Sequence, residues 1–213
     1  MHIFDWFSII GTIAFAMSGA FVAMEEEYDI LGVLVLGVVT AFGGGIIRNV
    51  LIGVPATTLW TQGDLIILAN LAVLVAFVLP LKWIQHWKRT EALFDAIGLS
   101  AFAIQGALYA ENMKHPLSAV VVAAVLTGIG GGIIRDLLAG RKPLVLRDEI
   151  YAVWAMMAGA VIGLGWAKGS IELIILFVLV VVFRMLSVFY KWKLPRRSLK
   201  STSSVQADFE QHL

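Results

Sequence analysis

Seven apolar blocks divide the chain, at 4–24, 30–53, 64–84, 93–111, 117–139, 149–167 and 170–192. A block of about twenty residues crosses the ~30 Å hydrocarbon core of a bilayer as an α-helix. The blocks are continuous rather than alternating, unlike barrel strands, whose residues face lipid and lumen in turn. In lipid every backbone amide needs an internal partner, and a helix supplies it within the segment. The pattern predicts an all-α membrane protein with seven transmembrane helices. The first block has Asp5 where a signal peptide would carry lysine or arginine, and it has a counterpart deep inside the chain. It is read as a permanent helix and not as a cleaved signal.

The polar connections give the helices a direction. With the N-terminus outside, the inner connections are 25–29, 82–92, 140–148 and the tail after Lys191. They carry Lys82, Lys88, Arg89, Arg141, Lys142, Arg147, Lys191, Lys193, Arg196, Arg197 and Lys200, against only Lys114 and Lys168 on the other face. Basic residues collect on the cytoplasmic side, so the expected topology is N-terminus out and C-terminus in, which an odd number of spans requires. The acidic turn Glu25-Glu26-Glu27-Tyr28-Asp29 falls inside, which the rule tolerates because acidic residues contribute little.

Shifted by 87 positions, the chain matches itself. Gly11, Ala14, Phe15, Ala16, Gly19, Ala20 and Ala23 fall on Gly98, Ala101, Phe102, Ala103, Gly106, Ala107 and Ala110. Thr40, Gly43, Gly44, Gly45, Ile46, Ile47, Arg48, Leu51 and Gly53 fall on Thr127, Gly130, Gly131, Gly132, Ile133, Ile134, Arg135, Leu138 and Gly140. Glycines and an arginine carry the match, so it is more than the likeness of two apolar segments. With three spans per unit, the second unit enters the membrane from the opposite side, giving inverted repeats. The expected organisation is a first three-helix repeat at 1–84, a cytoplasmic linker at 85–92, a second, inverted repeat at 93–168, a seventh helix at 169–193 and a polar, disordered tail at 194–213.

Composition narrows the function. The chain is 60% hydrophobic and 15% charged, where a soluble domain is about half apolar and about a quarter charged. It has no cysteine, which excludes disulfides and thiolate chemistry. No zinc-hydrolase, nucleophile-elbow or P-loop motif occurs, so neither an enzyme nor an ATP-driven pump is expected. His2, His86, His115 and His212 sit in loops or at termini and are read as solvated, with no metal site or cofactor expected. Trp83, Trp87, Trp60, Trp154, Trp166 and Trp192 lie near span ends and read as interfacial anchors.

The candidate chemistry is a glycine-rich break carrying an arginine in the second helix of each repeat. For Gly11, Gly19, Gly98 and Gly106 the spacing favours close helix packing. Gly43, Gly44 and Gly45, and Gly130, Gly131 and Gly132, cover nearly a full turn and expose backbone all round. They serve either packing or an ion pathway, in which carbonyls freed by a kink coordinate a partly dehydrated cation. Arg48 and Arg135 lie at i+4 from Gly44 and Gly131. Each is either a buried ion pair, with Asp136, Asp95 or Glu111 as candidate partners, or a charge beside the permeation path. Arg184 is placed near a helix end, where it would snorkel, and is given no site. Ser18, Thr40, Asn49, Asn70, Ser100, Gln105 and Thr127 are read mainly as interhelical hydrogen-bonding groups.

Seven spans, the doubled repeat and the segments FGGGIIRNVL and IGGGIIRDLL resemble the prokaryotic members of the trimeric intracellular cation (TRIC) channel family. The resemblance runs from about Phe4 to Trp192. It implies a homotrimer in a prokaryotic inner membrane, with one pore per subunit between the second and fifth helices and potassium as the permeant ion. Its partners would be the lipid bilayer, monovalent cations and copies of itself, with no nucleic acid. Carried over by motif, the ion pathway comprises Gly43, Gly44, Gly45, Arg48, Gly130, Gly131, Gly132 and Arg135, with Thr40, Thr127, Asn49 and Asp136 beside them. Asn49 stands where the second element has Asp136, so charge differs between the halves. The same group is also labelled a glycine-transporter domain, which leaves a secondary transporter of a small amino acid such as glycine as the alternative. A non-transporting scaffold, with the glycines serving packing alone, is the third reading.

Overall fold

The computed structural model describes residues 3–79, 87–146 and 150–195. Among these are seven α-helices and no strand: α1 (Ile3–Glu25), α2 (Ile30–Leu51), α3 (Gly63–Val78), α4 (Trp87–Asn112), α5 (Leu117–Leu138), α6 (Ala152–Gly163) and α7 (Ser170–Phe189). Short 3-10 turns follow α2 and α5, at Ala56–Thr61 and Leu144–Leu146. The polar tail beyond residue 195, His2, His86, His212, Trp83 and Arg147 lie outside the described residues.

The observed helices depart from the hydropathy blocks at three places. Helix α4 begins at Trp87, so residues 87–92 of the expected linker are its first turns. Hydropathy marks only the stretch that meets lipid, whereas a helix continues into water for as long as its backbone finds partners. Helices α3 and α6 have 16 and 12 residues, about 24 and 18 Å of rise, short of a ~30 Å core. Leu79, ahead of Pro80, takes φ −58°, ψ 133°, as the residue before a proline must, and α3 stops there. Helix α6 is closed by Gly165 at φ +73°, a conformation in which a side chain would be strained. The remaining apolar residues of the 149–167 block are in loops flanking the helix.

The two repeats are inverted and meet about a pseudo-twofold axis. Phe15 and Phe102, equivalent under the 87-residue shift, pack edge to face with centroids 5.2 Å apart. A Cβ on Gly11 would lie 2.6 Å from the Phe102 ring, and one on Gly98 would strike Phe15. Residue 11 opposite 102 and residue 15 opposite 98 means that α1 and α4 run antiparallel. The same reciprocity joins α2 to α5: Gly44 rests on the Thr127 carbonyl and Gly131 on the Thr40 carbonyl. Helix α1 is wrapped on most sides, with Phe15, Ala16, Ala20, Val22 and Ala23 fully buried. Outside this core, α7 buries only a stripe, Leu173, Leu176, Val180, Arg184 and Ser187. That three-and-four spacing puts them on one helical face. Its other faces, with Ile171, Ile175 and Val178, are exposed and apolar, as a lipid-facing helix requires.

The connections assigned to the basic face come together. Arg141, after α5, pairs with Glu25 and Glu26 at the end of α1, the latter at 2.6 Å. Partial burial works against its charge, but the hydrogen bonds to Glu26 and Glu25 outweigh this and hold its pKa above the ordinary arginine value. The Tyr28 hydroxyl donates to the Leu138 carbonyl at 2.8 Å.

Candidate functional site

Two arginine sites occupy equivalent places in the repeats, and they differ. Arg135, from the last turn of α5, is completely buried. Its Nη1 donates to Asp95 of α4 at 2.9 Å and to Ser18 of α1 at 2.6 Å. Its Nε donates to Asp136 at 2.9 Å, and Nη2 lies 2.8 Å from the same carboxylate. The Tyr151 hydroxyl donates to Asp95 at 3.0 Å. Arg184 of α7 stands 4.0 Å from the other Asp95 oxygen, its guanidinium 4.6 Å above the Tyr151 ring. Among the described residues, Asp95 and Asp136 are the carboxylates paired with these cations, which makes the charges tolerable in an apolar bundle. Arg184 does not snorkel: it is 1% exposed.

Arg48, from the last turn of α2, has no ion pair among the described residues. Its Nε and Nη2 both donate to the Asn49 amide oxygen, at 3.1 and 2.7 Å. The Tyr109 ring lies 4.5 Å from the guanidinium carbon. Nη1 has no hydrogen-bond acceptor among the described residues, although the residue is only 4% exposed. Glu111, a candidate partner from the sequence, is not among its contacts. Beside Arg48 opens a cavity of about 490 Å³, whose lining includes Asp5, Gln62 and Asp64 as well as Gly45, Phe102 and Thr127.

The 87-residue shift explains the difference position by position. Asp95 corresponds to Ser8, Asp136 to Asn49, Ser18 to Gln105 and Tyr151 to Asp64. Asp95, Asp136, Ser18 and Tyr151 all belong to the cluster around Arg135, and their counterparts Ser8, Asn49, Gln105 and Asp64 all line the Arg48 cavity. Gln105 donates to Ser8 in the cavity wall, whereas its counterpart Ser18 accepts from Arg135 in the cluster. The same framework therefore pairs its arginine with carboxylates on one side, and on the other, among the described residues, leaves it without an ion pair beside a cavity.

The triple glycines fall into several environments. Helices α2 and α5 run through them without interruption, so the expected break in the helix is absent: the backbone stays hydrogen-bonded and the missing side chains allow the helices to cross closely. A Cβ on Gly43 would lie 2.6 Å from Ile134, and Gly130 faces the Gly44 backbone at 2.9 Å. Gly132 leaves space for the Tyr151 hydroxyl, 3.0 Å from where its Cβ would sit. Gly45 alone of the six lines the cavity, with Arg48, Asn49 and Thr127. Thr40 and Thr127 donate to the carbonyls of Leu36 and Ala123 in their own helices. Asp136 also accepts from the Leu144 amide at 2.9 Å.

Sequence reasoning did not place Tyr109, Tyr151 and Arg184 at these sites. A tyrosine in an apolar span carries no signal of its own, and Arg184 has no counterpart in the repeat. Ser18 and Gln105 were flagged as hydrogen-bonding groups, and their equivalence under the shift was the available clue.

Comparison with known proteins follows the same two-part division. The family model described as glycine transporter matches twice, over residues 5–81 and 92–167. The UPF0126 membrane protein YvgT of Bacillus subtilis is 63% identical over 193 residues, covering 91% of this chain and 96% of the relative. A solved TRIC cation channel is 40% identical, covers 94% of this chain and 100% of its own, and superposes with a TM-score of 0.80. The TRIC trimeric intracellular cation channel orthologue from Rhodobacter sphaeroides is 28% identical, with a TM-score of 0.79 and coverage of 90% and 100%.

Proposed function

Because the chain belongs to the glycine-transporter family that includes the prokaryotic TRIC channels, we propose that it is a cation channel passing potassium through each subunit of a trimer. The observation that carries this reading is the cavity lined both by Asp5 and Asp64 and by Gly45 and Thr127, the last two near the crossing of α2 and α5. Carboxylates in its lining raise the local concentration of cations. The path continues between α2 and α5, toward the cluster at Arg135. That cluster and the close glycine crossing stand across the far half of the path. Opening requires the two helices to separate there, freeing the Thr40 and Thr127 carbonyls now covered by glycines. The Arg48 charge opposes cations and is partly offset by Asn49 and Tyr109. The chain is an integral membrane protein, placed by this reading in a prokaryotic inner membrane with its C-terminus in the cytoplasm.

Liposomes loaded with potassium chloride and carrying the purified protein test this: potassium should leave them, with a proton carrier completing the circuit, while chloride is retained. Vesicles as tight as protein-free ones would overturn the reading. The family description favours a second reading, a secondary transporter of glycine. Counterflow of labelled glycine, abolished by excess unlabelled glycine, would support it.

A further inference from the structure

We propose that the Arg48 cavity is a binding site for a small solute bearing a carboxylate, which takes on Arg48 the place that Asp95 and Asp136 take on Arg135. The inference goes beyond conduction and rests on the contrast between the two halves. Where the framework supplies carboxylates from the chain, they engage the arginine as buried ion pairs. Where it supplies Ser8 and Asn49 instead, a cavity of about 490 Å³ has opened beside the arginine. Liquid water takes up about 30 Å³ per molecule, so the volume suits a solute of a few heavy atoms with some water.

Arg48 is the anion-binding group of a lining that also holds Asp5 and Asp64. Arg48 is 96% buried, the complement of its 4% exposure, and its Nη1 has no acceptor among the described residues. Guanidinium binds carboxylate through paired N–H donors. Among the described residues of the lining, Arg48 is the only basic one. Thr12 and Gln105 line the cavity as well and are potential donors to a second oxygen. A bound carboxylate cancels the positive charge that faces the cavity, so occupancy also removes the electrostatic barrier to cations entering it.

Isothermal titration calorimetry on the purified, detergent-solubilised protein tests this with potassium acetate, glycine and methylammonium chloride, each against potassium chloride of equal ionic strength. Acetate and glycine should bind, and methylammonium should not. Asn49→Asp and Ser8→Asp each install the carboxylate that the other half already carries. Both should fold, elute as the parent does and weaken acetate binding about 10- to 100-fold, the worth of a charge-assisted hydrogen bond. Arg48→Gln should do the same. No heat with acetate, acetate binding unchanged in Asn49→Asp and Ser8→Asp, or a methylammonium response equal to that of acetate would overturn the proposal. Potassium flux on the same preparation keeps the two readings apart. A conducting protein that ignores acetate fails this proposal alone, and an acetate-binding protein without flux fails the channel reading alone.

Discussion

Replacing Asp95 with alanine takes from Arg135 its 2.9 Å partner and from the Tyr151 hydroxyl its acceptor. It also takes from Arg184 the carboxylate 4.0 Å away. Breaking a buried ion pair from one side costs about 3–5 kcal/mol, because a charge is left uncompensated. Asp136, still 2.8 Å from Arg135, places the loss at the lower end, about 3 kcal/mol. For a chain of this size that corresponds to a fall of roughly 6–12 °C in thermal midpoint. Ser8 is the natural control, since it occupies the equivalent place in the first repeat. Ser8→Ala gives up hydrogen bonds to the Phe4 carbonyl and from Gln105, beside a cavity where water can replace them, and should cost about 1 kcal/mol. The assay is thermal unfolding in detergent, followed by the loss of the monodisperse peak on size exclusion. Equal shifts for Asp95→Ala and Ser8→Ala would refute the view that one half is locked by charge and the other is not.

Four further outcomes are expected. Gly131→Ala and Gly44→Ala push a methyl into the Thr40 and Thr127 carbonyls; each should cost about 1–3 kcal/mol or more, seen as a lowered thermal midpoint. Gly45→Ala, whose Cβ would have only Arg48 Nη2 within range at 3.8 Å, should be neutral or stabilising by up to about 1 kcal/mol in the same assay. The chain has no cysteine, so Gln105→Cys and Ser18→Cys, equivalent positions, can be compared directly: a small methanethiosulfonate reagent should label the first, which lines the cavity, and leave the second, which is 0% exposed, unmodified. Arg141→Gln, which removes a partly exposed pair with Glu25 and Glu26, should cost no more than about 1 kcal/mol, and the loss should shrink at high salt.

Helix number, inverted repeats and the small-residue crossings were legible because each rests on spacing along one chain. Twenty apolar residues, a constant shift of 87 and glycines at matched positions survive without knowledge of the third dimension. The helix ends at 87 and 163 were not, because hydropathy reports the solvent around a segment and not where its backbone hydrogen bonds stop. At the sites, the Asn49 for Asp136 exchange was visible as a charge difference, and Asp95 and Asp136 were named as candidate partners for an arginine. Which arginine they serve depends on the antiparallel crossing of the repeats. That crossing brings α1 against the second site through Ser18 and α4 against the first through Gln105. Arg184 was hidden for a related reason: its buried stripe on α7 is set by the neighbouring Asp95 and Tyr151, which lie far away in sequence. The triple glycines suggested a broken helix, yet their backbones remain within unbroken helices, and close approach of α2 and α5 is what their missing side chains provide.

Conduction by the purified protein in a planar bilayer under a tenfold potassium chloride gradient is the most direct test of a cation pathway through the Arg48 cavity. The current should reverse close to the potassium equilibrium potential, about 59 mV for a tenfold gradient, and a positively charged thiol reagent on Gln105→Cys should suppress it. A silent bilayer, reversal at the chloride potential, or an undiminished current through a fully labelled Gln105→Cys protein would contradict it.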